Sequence, residues 1–351
     1  MTPYERRVRG HTRQPRFENL LDVLAGREPP RPTLFEFYLN RALYERLAGR
    51  VCPEDGLVER TRFFADAFAA AGYDHVTLTT PEFFPESRFP TGERGHEKSH
   101  SLNEGAVITD ERSFDRYPWP DMASLPYERL SLVDEALPDG MKAIVSGPMG
   151  VMEILNDIVG YENLCFMVIE NPELATRIST EIGSRLVTFY RRCLEYPAIG
   201  AVIANDDWGF KTQTMLSPDD LRRYVFPWHR EIARIAHDAG RPVILHSCGQ
   251  LEAVMGDVID DLKMDGKHSF EDAILPVEDA YDRWGSSIAL LGGIDLGFLC
   301  NEPLDRIHYR SRAMIEKTGC IRYALGSGNS IPEYVSDDAY FAMISAAFEE
   351  A

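Results

Sequence analysis

Two residues apart at the end of a short apolar run, His246 and Cys248 can turn toward one point. Imidazole and thiolate together form a donor set that suits zinc. Zinc takes three or four ligands, so the pair needs oxygen donors from the same rim, and Glu153, Asp206, Asp207 and Glu271 are the candidates, with water or substrate filling what remains. We assign Glu153 as the third ligand and Asp206, Asp207 and Glu271 to catalysis. Cys320 fails on geometry: it begins the last apolar run, seven residues before Ser327. At about 3.3 Å per residue that is roughly 20 Å away, on the opposite rim. The plainer alternative makes His246 a hydrogen-bonded core histidine and Cys248 a buried thiol.

The turn Asn205-Asp206-Asp207-Trp208 sets two carboxylates side by side. Adjacent residues of an extended chain point to opposite sides, so one of the two faces a pocket. There it can act as general acid or base, metal ligand or partner of a cationic substrate, or it can simply cap a loop or helix. Glu36, Tyr38, Thr80, Trp208, His268, Ser327 and Asn329 stand at similar places and are read as substrate-binding residues, although a buried histidine satisfied by a neighbour is the commoner role for a residue such as His268. The turn Gly326-Ser327-Gly328-Asn329-Ser330 allows close backbone approach, with amides for a carboxylate or phenolate. Ser327 is not read as a nucleophile, because no Gly-x-Ser-x-Gly elbow surrounds it.

What must hold these side chains is a set of eight short apolar runs, at 33–38, 74–80, 142–147, 201–206, 242–246, 262–268, 288–292 and 321–327. Between them lie helical patterns: 57–71 places Phe63, Phe64, Phe68 and Ala71 on one face, 172–196 is long and amphipathic, and Ser217-Pro218 opens a helix that runs to Ala239. Alternation of strand and helix implies a parallel sheet, and eight strands favour closure into a single (β/α)8 TIM barrel over an open doubly wound sheet. In such a barrel reactive groups gather at the carboxyl ends of the strands. Residues 1–32 read as an N-terminal arm under the barrel, and 81–130 as a long insertion or lid.

The 351 residues, 44% hydrophobic and 26% charged, suit one ordinary globular domain. With 37 basic against 56 acidic residues the formal charge is -19, which repels phosphate backbones and anionic lipids, so neither nucleic acid nor a membrane is expected as partner. No apolar run approaches the roughly 20 residues of a membrane span and the start has no apolar signal core, which implies a cytoplasmic protein. The six cysteines lack paired spacing, and all but Cys248 read as core fillers. No dinucleotide or nucleotide cradle sequence is present.

From about Met141 onward these pieces, taken in order, resemble the uroporphyrinogen decarboxylase superfamily. The resemblance rests on Gly147-Pro148 with Gly160-Tyr161-Glu162, Asn205-Asp206-Asp207 with Ser217-Pro218 and Phe226-Pro227, His246-Ser247-Cys248-Gly249, Leu291-Gly292-Gly293-Ile294-Asp295, and Gly326-Ser327-Gly328 with Ile331-Pro332. It implies one of two activities. The superfamily's methyltransferases hold zinc through a His-x-Cys pair and a later cysteine; His246 and Cys248 match the pair, while the later position is Ser327, so a carboxylate replaces that ligand or the metal is lost. The decarboxylases grip a polycarboxylate with an arginine-rich amino-terminal motif, where this chain has Glu36 in Leu34-Phe35-Glu36-Phe37-Tyr38. The resemblance therefore implies a zinc-dependent methyltransferase acting with a methyl donor or acceptor and a corrinoid carried by a separate protein, and a homodimer. The alternatives are a cofactor-free carboxy-lyase and a barrel that only binds a ligand.

Overall fold

The computed structural model describes residues 1–78, 80–92 and 101–349. Seven parallel strands run in sequence order in one curled sheet: β1 (His75–Leu78), β2 (Lys142–Ser146), β3 (Ile199–Asn205), β4 (Val243–His246), β5 (Gly266–His268), β6 (Ala289–Leu291) and β7 (Tyr323–Ala324). All of their side chains are buried except Lys142 and Asn205, which are partly so, as a sheet covered on both faces requires. Consecutive strands are joined through helices, the arrangement from which an α/β barrel is built.

Seven of the eight sequence runs thus become strands. The eighth, at 33–38, is not a strand but joins the far edge of the sheet: Leu34 bridges Leu325 in parallel, Phe35 N donates to Leu325 O at 2.9 Å and Leu325 N to Thr33 O at 2.9 Å. On its other side the segment meets β1 through side chains, with His75 Nε2 3.4 Å and Thr77 Oγ1 3.5 Å from Glu36 O. Among the described residues no backbone hydrogen bond joins 33–38 to β1.

Alternation sorts the strand residues into two clusters. Phe35, Phe37, Ile144, Ala201, Ile203 and Ile244 point into the sheet's concave interior, where Phe17, Leu20, Val23 and Leu24 of the amino-terminal helix Glu18–Leu24 and its flank close one end. The intervening residues face the helices in a second, larger cluster. Asp74 ties the first residues down by accepting from Arg16 N at 2.8 Å, Asn19 Nδ2 at 3.1 Å and Arg31 Nη2 at 2.5 Å.

One helix expectation changes. The helix from Ser217 breaks at Val225 into Pro218–Tyr224 and Phe226–Asp238, because Pro227 donates no N–H and restricts the residue before it. The 81–130 stretch, of which 93–100 falls outside the described residues, carries helix Glu111–Arg116 and buries Ile108, Phe114, Tyr117, Met122 and Tyr127 in the larger cluster. Of the cysteines read as core fillers, Cys52, Cys193 and Cys320 are buried, Cys165 is half-buried and Cys300 is exposed. Among the described residues no helix is long and apolar enough to cross a membrane.

Candidate functional site

Strands β3 and β4 pair Asn205 with His246, so the turns that follow them leave the sheet side by side. A ligand-capable atom from each of Asp207, His246 and Cys248 lies within 4.8 Å of the others, and this is the one such trio among the described residues. The chain holds the trio through short local links. Cys248 N donates to Asp207 Oδ1 at 2.8 Å, fixing the carboxylate against the thiol-bearing turn. Gly249 follows at φ 89°, and a Cβ there would collide with the Gly209 carbonyl, so only glycine lets the two turns touch.

His246 points inward from β4, and its Nδ1 lies 2.7 Å from Nδ1 of His268 on β5. One ring must carry the bridging proton, which leaves Nε2 of His246 facing Cys248 Sγ at 3.9 Å. Burial keeps both imidazoles neutral, His246 pushed down to about 3 and His268 well below its ordinary value, with the neighbouring Lys267 charge adding to the effect. Cys248 Sγ also accepts from Ser269 Oγ and Asn329 Nδ2, both at 3.3 Å. Burial, helped by Asp207, raises its thiol to about 12, so a neutral thiol prevails unless a cation is present. Asp207 is raised as well, chiefly by burial.

The other carboxylates are used elsewhere. Asp206 is turned to the helix side of β3, where Oδ2 and Oδ1 accept from Met152 N and Glu153 N, each at 3.0 Å, at the first turn of helix Val151–Val159, and Oδ2 pairs with His229 Nε2 at 2.8 Å. Glu153 accepts from Gly150 N at 2.9 Å and Asn205 Nδ2 at 2.7 Å; burial and the two aspartates raise it well above the usual carboxylate range. It lies outside the trio, and Asp207 stands where a third donor was sought. Glu271 is half-buried and also outside the trio. Trp208 is packed in the core against Phe226 and His229, ring centroids 4.9 Å from each.

Glu36 is fully buried, and desolvation raises its carboxyl to about 8. Ser327 Oγ lies 2.7 Å from Glu36 Oε1 and also against Asn329 O. One hydroxyl proton cannot serve both oxygens, so the protonated Glu36 donates to Ser327 Oγ while Ser327 donates to Asn329 O. Three amides of the glycine turn are occupied inside the protein: Ser327 N donates to Glu36 Oε2 at 3.2 Å, Gly328 N to Ile294 O at 2.7 Å and Ser330 N to Asn329 Oδ1 at 2.8 Å.

Lys267 escaped the sequence reading, and Ser269, which stands at the same strand end as His268 and Glu271, was given no role in it. Lys267 alternates with the inward Gly266 and His268 on β5 and is completely buried; its Nζ donates to Ser269 O at 2.5 Å and rides 4.2 Å over the Phe270 ring. Burial lowers it to about 8. The signal was a lysine inside an otherwise buried strand. Ser269 adopts φ 83°, unusual for a residue with a Cβ, and this conformation aims its hydroxyl at Cys248.

A cavity of about 430 Å³ lies near the trio, though none of the three residues lines it. Tyr38, Thr80 and Asn205 line it together with Phe37, whose ring centroid is 4.6 Å from that of His246.

A model of the family described as uroporphyrinogen decarboxylase (URO-D) matches residues 103–349. The chain belongs to the uroporphyrinogen decarboxylase family. The matched region begins inside the 81–130 stretch and contains every trio residue, while Glu36, Tyr38 and Thr80 precede it. Among solved structures, a methyltransferase from Methanosarcina mazei superposes with a TM-score of 0.67 at 16% identity, covering 94% of this chain and 97% of its own. A B12-independent methionine synthase from Shewanella sp. W3-18-1, in complex with selenomethionine, gives 0.54 at 12% identity over 90% and 95%. At these identities the likeness is one of fold. No curated protein matches the sequence significantly.

Proposed function

We propose that this member of the uroporphyrinogen decarboxylase family is a zinc-dependent methyltransferase that exchanges a methyl group between a small molecule and a corrinoid carried by a separate protein. The observation that carries the reading is the convergence of Asp207, His246 and Cys248 on one point. One nitrogen, one sulfur and one oxygen donor suit zinc and leave a fourth position for water or substrate. When bound, the metal supplies Lewis acidity toward an ether oxygen or a binding place for a thiolate. The protein does the rest. His268 fixes the ring of His246, the Cys248 amide holds Asp207, and Ser269 and Asn329 donate to the sulfur, so the donor atoms are aimed before any metal arrives.

The two solved structures named above, a methyltransferase and a methionine synthase, support a methyl-transfer reading over the decarboxylation for which the family is named. Asp206 takes no direct part in it, being committed to a helix end and His229. We further propose a homodimer working in the cytoplasm.

Metal analysis of protein purified without chelator tests the proposal. Near-stoichiometric zinc, lost in Cys248→Ala and weakened in Asp207→Asn, is the expected result. Absence of zinc together with turnover of uroporphyrinogen overturns it in favour of the carboxy-lyase. Ligand binding with no methyl release under reducing conditions in the presence of a corrinoid protein overturns it in favour of a barrel that only binds.

A further inference from the structure

Strands β4 and β5 share three rungs, Ile244 with Gly266, Leu245 with Lys267 and His246 with His268, and the backbone bond that follows, Ser247 N to His268 O, is long at 3.4 Å. The two chains then part. Phe270 N donates at 2.9 Å to Gly328 O in the glycine turn, so Ser269 is the residue at which the backbone swings away from β4, and it does so at φ 83°. That conformation is costly for a residue with a Cβ and persists only where its surroundings hold it. Ser269 is also the residue whose Oγ donates to Cys248 Sγ at 3.3 Å. Something must therefore keep it in place.

Lys267 spans the gap between the two turns. Its Nζ lies 3.4 Å from Ser247 O, 3.5 Å from His268 O and 2.5 Å from Ser269 O, one carbonyl from the β4 side and two from the β5 side. Three protons meet three carbonyls. Ser247 O belongs to the peptide that leads into Cys248, and Ser269 O to the residue that donates to the sulfur, so one side chain fixes both partners of the Ser269–Cys248 contact. The charge by itself works against the trio's use as a metal site. Asp207 and Cys248 both feel it, and replacing the thiol proton with a divalent cation adds positive charge beside Lys267. Electrostatics alone would favour a neutral residue here; what lysine offers instead is a three-pronged donor.

We infer that Lys267 is a positioning residue, whose ammonium holds Ser269 in the left-handed conformation and so keeps the Ser269 hydroxyl on the sulfur of Cys248. The inference rests on the zinc-dependent methyl-transfer reading only for what that sulfur goes on to do. Cobalt(II) titration of chelator-treated protein at pH 7, followed by thiolate-to-cobalt charge-transfer absorption, tests it. Lys267→Met should weaken cobalt binding about tenfold or more, although loss of the charge alone would tighten it. Ser269→Gly, in which glycine suits φ 83° and brings no hydroxyl, should weaken it to a similar degree. The double variant should bind no more weakly than either single one, because both changes remove the same contact. Losses that multiply in the double variant, an unchanged affinity, or tighter binding in Lys267→Met would each overturn the inference. A crystal structure of chelator-treated Lys267→Met gives a readout without metal: Ser269 should leave φ 83° and its Oγ should part from Cys248 Sγ. An unmoved Ser269 overturns the inference, whereas native protein that takes up no cobalt sinks only the methyl-transfer reading. Should the methionine variant fail to fold, Lys267→Gln replaces it in both measurements with the same expected direction.

Discussion

Nδ1 of His246 and Nδ1 of His268 lie 2.7 Å apart at the ends of neighbouring strands, and that contact decides which nitrogen of His246 is free. With its Nδ1 engaged, His246 can ligate only through Nε2, the atom that faces Cys248. His268→Ala should therefore reduce zinc affinity about 10- to 100-fold while leaving all three donor residues in place. Competition against a coloured chelator measures this. An unchanged affinity would show that the ring of His246 is oriented by something else.

Asp206 receives two helix-end amides and the Nε2 of His229 in a fully buried place. Asp206→Ala leaves three polar groups without a partner and should cost about 3 to 5 kcal/mol in urea unfolding, with Asp206→Asn costing less. A change within about 0.5 kcal/mol would mean that water replaces the carboxylate.

Glu36 gives the protein a defined pH dependence. Its carboxyl is raised from 4.5 to about 8 by burial, so the folded state holds a proton that the unfolded chain has released. Below pH 4.5 both states are protonated and no penalty exists; the penalty grows as pH rises and is complete above pH 8. Relative to the native protein, Glu36→Gln should gain stability between pH 5 and pH 8.5, up to about 5 kcal/mol. Unfolding midpoints of the two proteins at both pH values check the sign. A gap that stays constant would show that Glu36 ionises alike in both states.

Gly249→Ala tests the contact between the two turns. Its φ of 89° disfavours any Cβ, and the added methyl meets the Gly209 carbonyl. We expect a loss of about 2 kcal/mol or more, and loss of zinc from any protein that still folds, because Cys248 is the preceding residue. Folded protein with full zinc would show that the turns can separate freely.

Much of this arrangement was legible in the residues. The short runs read from the sequence overlap all seven strands, although β5 (Gly266–His268) contains no Val, Ile or Leu, and the two-residue spacing of His246 and Cys248 placed both in one trio. Alternation correctly implied that Asp206 and Asp207 part company, but not which goes where. That depended on a partner far along the chain, the first turn of helix Val151–Val159, which draws Asp206 outward. The same helix end explains why Glu153 is not in the trio: its carboxylate closes back on Gly150 N in a capping box. Lys267 stayed hidden because its burial is made tolerable by three carbonyls and an aromatic face that only folding assembles. The segment at 33–38 has a strand's composition, yet its pairing is limited to one neighbour, which no local pattern reveals.

That one-sided pairing bears on how the cavity can adapt. A row of backbone bonds resists shear because every rung must break together, whereas the junction between 33–38 and β1 rests on an imidazole and a hydroxyl reaching Glu36 O across 3.4 and 3.5 Å. Phe37 and Tyr38 ride on that loosely fastened edge. Displacing the wall they form would break those two side-chain bonds and the stack of Phe35 on His75, ring centroids 5.2 Å apart, without parting a backbone ladder, whereas the facing wall stands on the β2–β3 ladder.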